Sequence, residues 1–268
     1  YRTNAQSRAL EEQFLKSGIP YRLVGGVSFY QRKEIKDVIS YLRLLQNPTD
    51  TVALKRAEKI GKGRLTKVLE FAQNNTGSLT TLELLDKILQ ITGYLDYLDD
   101  KTEEGLGRIE NVKELRSVAE EFPSLPEFLE NVALMEAGDN PKHRKKDGAS
   151  SAVTLMTLHN AKGLEFPIVF IVGMEEGLFP HSRSMLDPQE LEEERRLMYV
   201  GITRAKEKLY LTYTRQRLFF GQRNNNLVSR FLADIPEHLI ISNSNFRDQD
   251  SFLDDVDTGV DKEDWLNV

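Results

Sequence analysis

The stretch "VTLMTLHNAKGLEFPIVFIVG", residues 153–173, sets two apolar runs on either side of a polar loop. The second run, "PIVFIVG", is continuously apolar, the pattern of a strand buried on both faces of a parallel sheet. "VTLMTL" reads as a strand before it, and "KLYLTYT", residues 208–214, as a third after an intervening helix. At the start of the chain, "AQSRALEEQFLKSG" places Leu10, Phe14 and Leu15 at helical spacing, with Gly18 where a helix stops. Pro20 introduces "YRLVGG", a short strand closing on two glycines, and "YRTN" has the texture of a strand end. Strand, helix, strand is the order of an α/β layer with a parallel sheet.

After about residue 28 the texture changes. "RKEIKDVISYLRLLQNP" aligns Ile35, Val38, Ile39, Leu42 and Leu45 on one helical face before Pro48. "TLELLDKILQITG", "GRIENVKELRSVAEEF" and "LPEFLENVALMEAG" continue in the same manner to about residue 136. The expected architecture is an α/β domain over residues 1–28 and 151–245, interrupted by an all-helical insertion with its linker over 29–150. Residues 137–151 are polar, turn-rich and locally basic, which fits a plain loop or one that touches a phosphate backbone. Residues 246–268 are acidic and too poor in apolar residues for a core, so a disordered tail is expected. Its Phe252, Leu253, Trp265 and Leu266 could dock on a repair or transcription protein, or the tail could simply aid solubility.

Charge excludes little. The net −6 is concentrated in residues 245–268, which hold eight acidic against two basic residues, so the rest is neutral and can carry a local basic groove. With no cysteine there is no disulfide framework, thiolate nucleophile or Cys-ligated zinc, and four scattered histidines make a metal site unexpected. No apolar run has the length of a membrane span and the first residues do not resemble a signal peptide, so a cytoplasmic protein without a membrane partner is expected. The start at "YRTN", without a methionine, suggests a piece of a longer protein.

Several stretches could carry chemistry. "TLHNAKGLEF", residues 157–166, offers His159, Lys162, Gly163 and Glu165 in a loop at the carboxyl end of a strand, where parallel folds place ligands. A glycine turn with surface charges explains the same residues. In "EEERRLMYVGITRA", residues 192–205, a helical wheel puts Leu191, Arg195, Met198, Tyr199, Ile202 and Ala205 on one side and Arg204 off that stripe. Arg204 is then either a solvated cation or one positioned to stabilise a transferring phosphoryl group. Glu192, spaced to meet Arg195 or Arg196, reads as structural, as do its neighbouring carboxylates. "KIGKGRLTKVLEF", residues 59–71, brackets Lys62 with two glycines and adds Arg64 and Lys67. That is a simple interhelical turn, or one that grips a DNA phosphate in the manner of a helix-hairpin-helix. "MEEGLFPHSR" and "RLFFG" supply His181, Arg183 and Phe220 in loops, types that single-strand binding uses for backbone contact and base stacking. No G-x-x-x-x-G-K-[ST] phosphate cradle occurs.

Taken in order, "YRTNAQSR", "IPYRLVGGVSFYQRKEIKDVISYLRLLQNP", "TLMTLHNAKGLEFPIVFIVGMEEGLFPH" and "EEERRLMYVGITRAKEKLYLT" resemble the C-terminal half of superfamily 1A DNA helicases of the UvrD, PcrA and Rep group. The resemblance implies a RecA-like domain 2A over residues 1–28 and 151–245 and a helical domain 2B inserted in it. It also implies ATP-driven 3′ to 5′ translocation on single-stranded DNA, at a junction with duplex, together with an N-terminal RecA-like half. "TLHNAKGLE" is similar to motif V, where Glu165 would approach the nucleotide ribose and Lys162, beside Gly163, would couple nucleotide and DNA sites. "YVGITRA" resembles motif VI, making Arg204 the arginine finger for the γ-phosphate of ATP. Arg2, Asn4, His159, His181 and Phe220 match DNA-touching positions, Phe220 as a stacking surface. Lys62 and Arg64 stand where the insertion would meet duplex, although the insertion is shorter than usual after "TVALKR". The phosphate-binding lysine and Mg²⁺ ligands would lie in the other half, so this chain alone should not hydrolyse ATP. Two other readings compete: a non-catalytic helicase-derived module that binds DNA or a protein, and part of a helicase and nuclease of the RecB or AddA type.

Overall fold

The computed structural model describes residues 1–74, 79–138 and 152–242. Tyr1–Leu232 form one compact unit, and a second begins at Ala233. In the second, the described residues include a single turn of 3-10 helix at Glu237–Leu239. The basic cluster of the linker and the acidic tail lie outside the described residues.

The α/β part opens with a 3-10 turn at Asn4–Gln6 and helix α1, Ser7–Lys16, which Gly18 follows at φ 66°. Strand β1, Tyr21–Leu23, comes next. Seven α-helices follow among the described residues: α2, Lys33–Gln46; α3, Thr51–Ile60; α4, Lys62–Asn74; α5, Thr81–Thr92; α6, Tyr94–Leu98; α7, Glu103–Glu121; and α8, Leu125–Gly138. Cap chemistry sets several of these bounds. Asp50 accepts from the Val52 and Ala53 amides, Thr80 and Glu83 form a reciprocal capping box, and Gly93 ends α5 in the left-handed conformation. Ile35, Val38, Ile39 and Leu42 of α2 are buried, and so are Tyr41 and Leu44, because α3, α4, α5, α7 and α8 surround that helix. One apolar cluster runs from Phe29 to Met135 and constitutes the core of this helical segment.

The chain returns as β2, Val153–Leu155; β3, Phe166–Val172; α9, Pro188–Ile202; and β4, Ala205–Thr212. A hairpin of β5, Gln216–Phe219, and β6, Gln222–Asn225, follows, then α10, Arg230–Ala233. β1 pairs with β2 in parallel, and β3 with β4 in parallel. The amide of Leu158 donates to the Tyr1 carbonyl (2.8 Å), so the first residue extends the first pair, with Tyr1, Tyr21 and Leu155 in one cluster against which Val172 packs.

Three expectations are corrected. β3 is not buried on both faces: Ile168 and Phe170 are half exposed or more, with Phe170 stacked on Tyr210 at 4.5 Å, while Ile171 on the opposite face is buried. Among the described residues the strands make two separate parallel pairs and a hairpin. The α9 stripe is rotated as well. Glu194, Leu197, Met198 and Gly201 are buried, Tyr199 is 69% exposed, and Ala205 already belongs to β4. The expected stripe left out Glu194, whereas this carboxylate has Leu197 and Met198 at its i+3 and i+4 positions and faces inward with them.

Candidate functional site

Two loops meet where α9 turns into β4. The first runs from Thr157 through a 3-10 turn at His159–Ala161 to Glu165. Its Asn160 side-chain amide donates to the Val24 carbonyl (3.3 Å), and a Cβ at Gly25 would collide with that side chain, which explains a glycine beneath the loop. Gly163, at φ 83°, supplies the sharp bend before β3. The second element is Arg204, which stands just beyond the Thr203 cap of α9 rather than inside the helix. Its Nε donates to the Val200 carbonyl (2.8 Å), Nη1 to the Leu164 carbonyl (2.9 Å) and Nη2 to Thr203 Oγ1 (2.8 Å).

Arg204 thus ties the first loop to the end of α9. Three of the five guanidinium N–H groups are occupied, which leaves one on each terminal nitrogen among the described residues. Glu165 meets Lys206 at 3.1 Å, both largely exposed, and Lys162 is exposed beside them. Gly201 sets the spacing underneath. A Cβ there would come within 2.6 Å of Leu158 and 2.8 Å of Ile171, so α9 packs hard against both the loop and β3.

A second constellation crosses the molecule as a row of charged pairs. Arg2 Nε donates to Glu194 Oε1 (2.8 Å), and Glu194 Oε2 accepts from the His181 amide (3.0 Å). His181 Nε2 lies 3.2 Å from Glu110 Oε1, and Arg183 reaches the same carboxylate. One row therefore links the start of the chain, α9, the loop after β3 and α7. His159 lies near it: burial first, then the Arg2 charge, hold its imidazole below the ordinary value. Asn4 is exposed, and its carbonyl accepts from Arg32 Nη1 (3.0 Å).

The third feature is the tip of the β5–β6 hairpin. Phe220 stacks on Phe219 with ring centroids 3.8 Å apart, and its main chain bonds to α7. In the fourth, the turn between α3 and α4, the two cations diverge. Lys62 faces solvent beside Glu58 (3.5 Å). Arg64 turns inward: its Nε donates to the Thr92 carbonyl (3.0 Å) and its guanidinium lies 4.6 Å from the Tyr97 ring centroid. That geometry caps α5 and is the one an interhelical turn provides.

Residues that the sequence reading passed over hold these features in place. The polar side of α1 is its buried side: Arg8 Nε donates to Glu114 Oε1 (2.8 Å), Tyr30 Oη to Glu12 Oε1 (2.7 Å) and the Phe29 amide to Glu11 Oε2 (3.0 Å). Burial pushes the Glu114 carboxyl above its ordinary value even with Arg8 beside it. Arg32 adds bonds to Asn111 Oδ1 (2.8 Å) and Ser7 Oγ (2.7 Å). Glu194 alone left a local signal, because Glu192 and Glu193 meet Arg195 and Arg196 on α9 while Glu194 has only apolar residues one turn on.

A family model, the UvrD-like helicase C-terminal domain, matches residues 1–93 and 73–216, and the chain belongs to that family. Among curated relatives, the ATP-dependent DNA helicase PcrA of Bacillus subtilis (strain 168) is 41% identical over 90% of this chain and 39% of its own length. The PcrA helicase of Staphylococcus aureus (strain Mu50) is 40% identical, covering 93% of this chain and 40% of the relative. The chain spans about two fifths of the length of these relatives.

Proposed function

We propose that this chain is the second motor lobe and helical insertion of an ATP-dependent DNA helicase that moves 3′ to 5′ along single-stranded DNA. In this reading residues 1–28 and 151–245 are a RecA-like lobe, and residues 29–150 are an insertion that approaches the duplex junction. ATP and Mg²⁺ are held chiefly by an N-terminal RecA-like half of the full-length protein. The observation that carries the reading is Arg204, fixed by two carbonyls and a hydroxyl against the loop that bears Lys162 and Glu165, with two N–H groups left over.

The residues present suit one side of a nucleotide. Arg204 offers two unoccupied donors and Lys162 an exposed ammonium, while the chain holds no G-x-x-x-x-G-K-[ST] cradle of its own. A guanidinium held by its other donors loses little freedom when charge develops on a phosphoryl group, so its attraction favours the transition state. Lys162 and Gly163 connect this corner to His159, and the DNA track continues through Arg2, Asn4 and His181 to the Phe220 ring. Lys62 is the solvent-facing cation that the insertion offers to duplex.

The test uses the full-length protein. Arg204→Ala is expected to lower DNA-stimulated ATP turnover by about 10³-fold, the scale of a lost arginine finger. Binding of single-stranded DNA should stay close to wild type. Unchanged turnover would overturn the assignment. This chain by itself is expected to show no ATP hydrolysis.

A further inference from the structure

Phe219 and Gln222 close the hairpin as a register pair, leaving Phe220 and Gly221 as a two-residue tip. Both have positive φ, 54° and 77°, as a type I′ turn requires. Asn-Gly is the usual filling of such a turn, and a bulky aromatic with positive φ is an outlier that its surroundings must hold.

The surroundings are three consecutive contacts from α7. The Phe220 amide donates to Glu114 Oε2 (3.2 Å), Arg116 Nη1 donates to the Phe220 carbonyl (3.1 Å), and the Gly221 amide donates to Ser117 Oγ (3.0 Å). A Cβ on Gly221 would stand 3.0 Å from Arg116 Cβ and 3.3 Å from the Arg116 carbonyl, so the tip lies directly against the helix backbone. Arg116 is steadied in turn by Asp86 of α5, with Nη2 2.9 Å from Oδ2.

We infer that Glu114, Arg116 and Ser117 are positioning residues for Phe220: helix α7 of the insertion holds the hairpin tip in its left-handed conformation and so aims the ring as a base-stacking surface. The inference rests on the reading in which Phe220 stacks on DNA. Without the three contacts the tip relaxes toward conformations that a phenylalanine prefers, and the ring no longer stands where a base would meet it.

The test again uses the full-length protein, with a thymidine oligonucleotide carrying one 2-aminopurine whose emission reports stacking. Phe220→Ala should weaken binding on the order of tenfold, the scale of one lost base stack. Ser117→Ala, which removes the bond from Gly221 and the one Ser117 donates to Glu114, and Arg116→Ala should each weaken binding by about threefold to tenfold, the worth of one or two hydrogen bonds. In both saturated complexes the emission should move toward that of Phe220→Ala, while Arg116→Lys, which keeps a donor, retains most of the wild-type signal. A merely structural loss would lower the thermal midpoint and leave the emission of the saturated complex unchanged. If Phe220→Ala weakens binding but Ser117→Ala and Arg116→Ala bind and emit like wild type, the positioning role is refuted and stacking stands. If Phe220→Ala binds as tightly as wild type, the stacking reading falls first.

Discussion

Replacing Glu194 by alanine removes the carboxylate on which the row from Arg2 to His181 depends. The Glu194 side chain is 4% exposed and that of Arg2 is 21% exposed. The loss leaves one partly wetted guanidinium and the His181 amide without an acceptor. Breaking a buried ion pair by removing one partner costs about 3–5 kcal/mol. Because water still reaches Arg2, the lower end applies to the pair and the orphaned amide together, roughly 3 kcal/mol. At about 2–4 °C per kcal/mol for a chain of this size, the thermal midpoint should fall by about 6–12 °C. The informative assay is a double-mutant cycle with Arg2→Ala, followed by urea unfolding. The double variant should be less destabilised than the sum of the singles by about 1.5 kcal/mol or more, since each single strands the other's charge. Additivity within about 0.5 kcal/mol would mean that the bidentate contact is not a coupled unit, and the reasoning would fail.

Two further outcomes follow from the geometry. Arg64→Ala should destabilise the insertion by about 1–2 kcal/mol through the lost Tyr97 and Thr92 contacts, read by thermal unfolding. It should leave the salt dependence of DNA binding unchanged; a flatter slope would instead place Arg64 on a phosphate. His159 gives a pH signature. Its imidazole value is lowered on folding, so above about pH 6.5 both states are neutral and it contributes nothing. As pH falls through that value the unfolded chain takes up the proton more readily, and stability is lost until the folded value is passed. Wild type should therefore lose more stability than His159→Gln between pH 7.5 and 5.5, and equal losses would refute the shift.

What was legible in the sequence followed from local rules. The helices of the insertion declare themselves by apolar spacing, and Gly18 and Gly93 stop helices where a positive φ is needed. Strands β1 to β4 were legible as apolar runs and their parallel pairing from the intervening helices, whereas the antiparallel β5–β6 hairpin, largely polar outside Leu218 and Phe219, was read as a loop. What was not legible depended on partners far away in the chain. Nothing local marks Arg8 and Glu12 of α1 as buried, because their partners Glu114 and Tyr30 are 106 and 18 residues distant. The same separation hid the clamp on Phe220, where "RLFFG" announces a turn but not its hand. β3 misled for a different reason, since its run of apolar residues states that both faces resist water without stating what covers the second. For Arg64 the sequence offered an interhelical turn or a phosphate contact and could not name the Thr92 carbonyl as its partner, because Thr92 lies 28 residues away.

The junction between insertion and α/β part has a physical character of its own. Apart from Leu15, the apolar cluster of the insertion is built from residues 29–135, and the cluster of Tyr1, Tyr21 and Leu155 is separate from it. Several contacts across the junction are charged or hydrogen-bonded: Arg8 of α1 with Glu114 of α7, Arg32 with the Asn4 carbonyl and Ser7, and Arg183 with Glu110 of α7. Buried pairs of this kind add little net stability, because desolvation offsets most of their attraction, but their directionality fixes one relative orientation. Water can take over such bonds if the surfaces part, whereas parting an apolar interface of equal size would expose surface at about 25 cal/mol per Å². The junction therefore specifies an angle more than it supplies adhesion. The helix that carries Glu110 and Glu114 also bonds the Phe220 tip, through Glu114 and Ser117, so the polar contacts that orient α7 and those that hold the ring share one element.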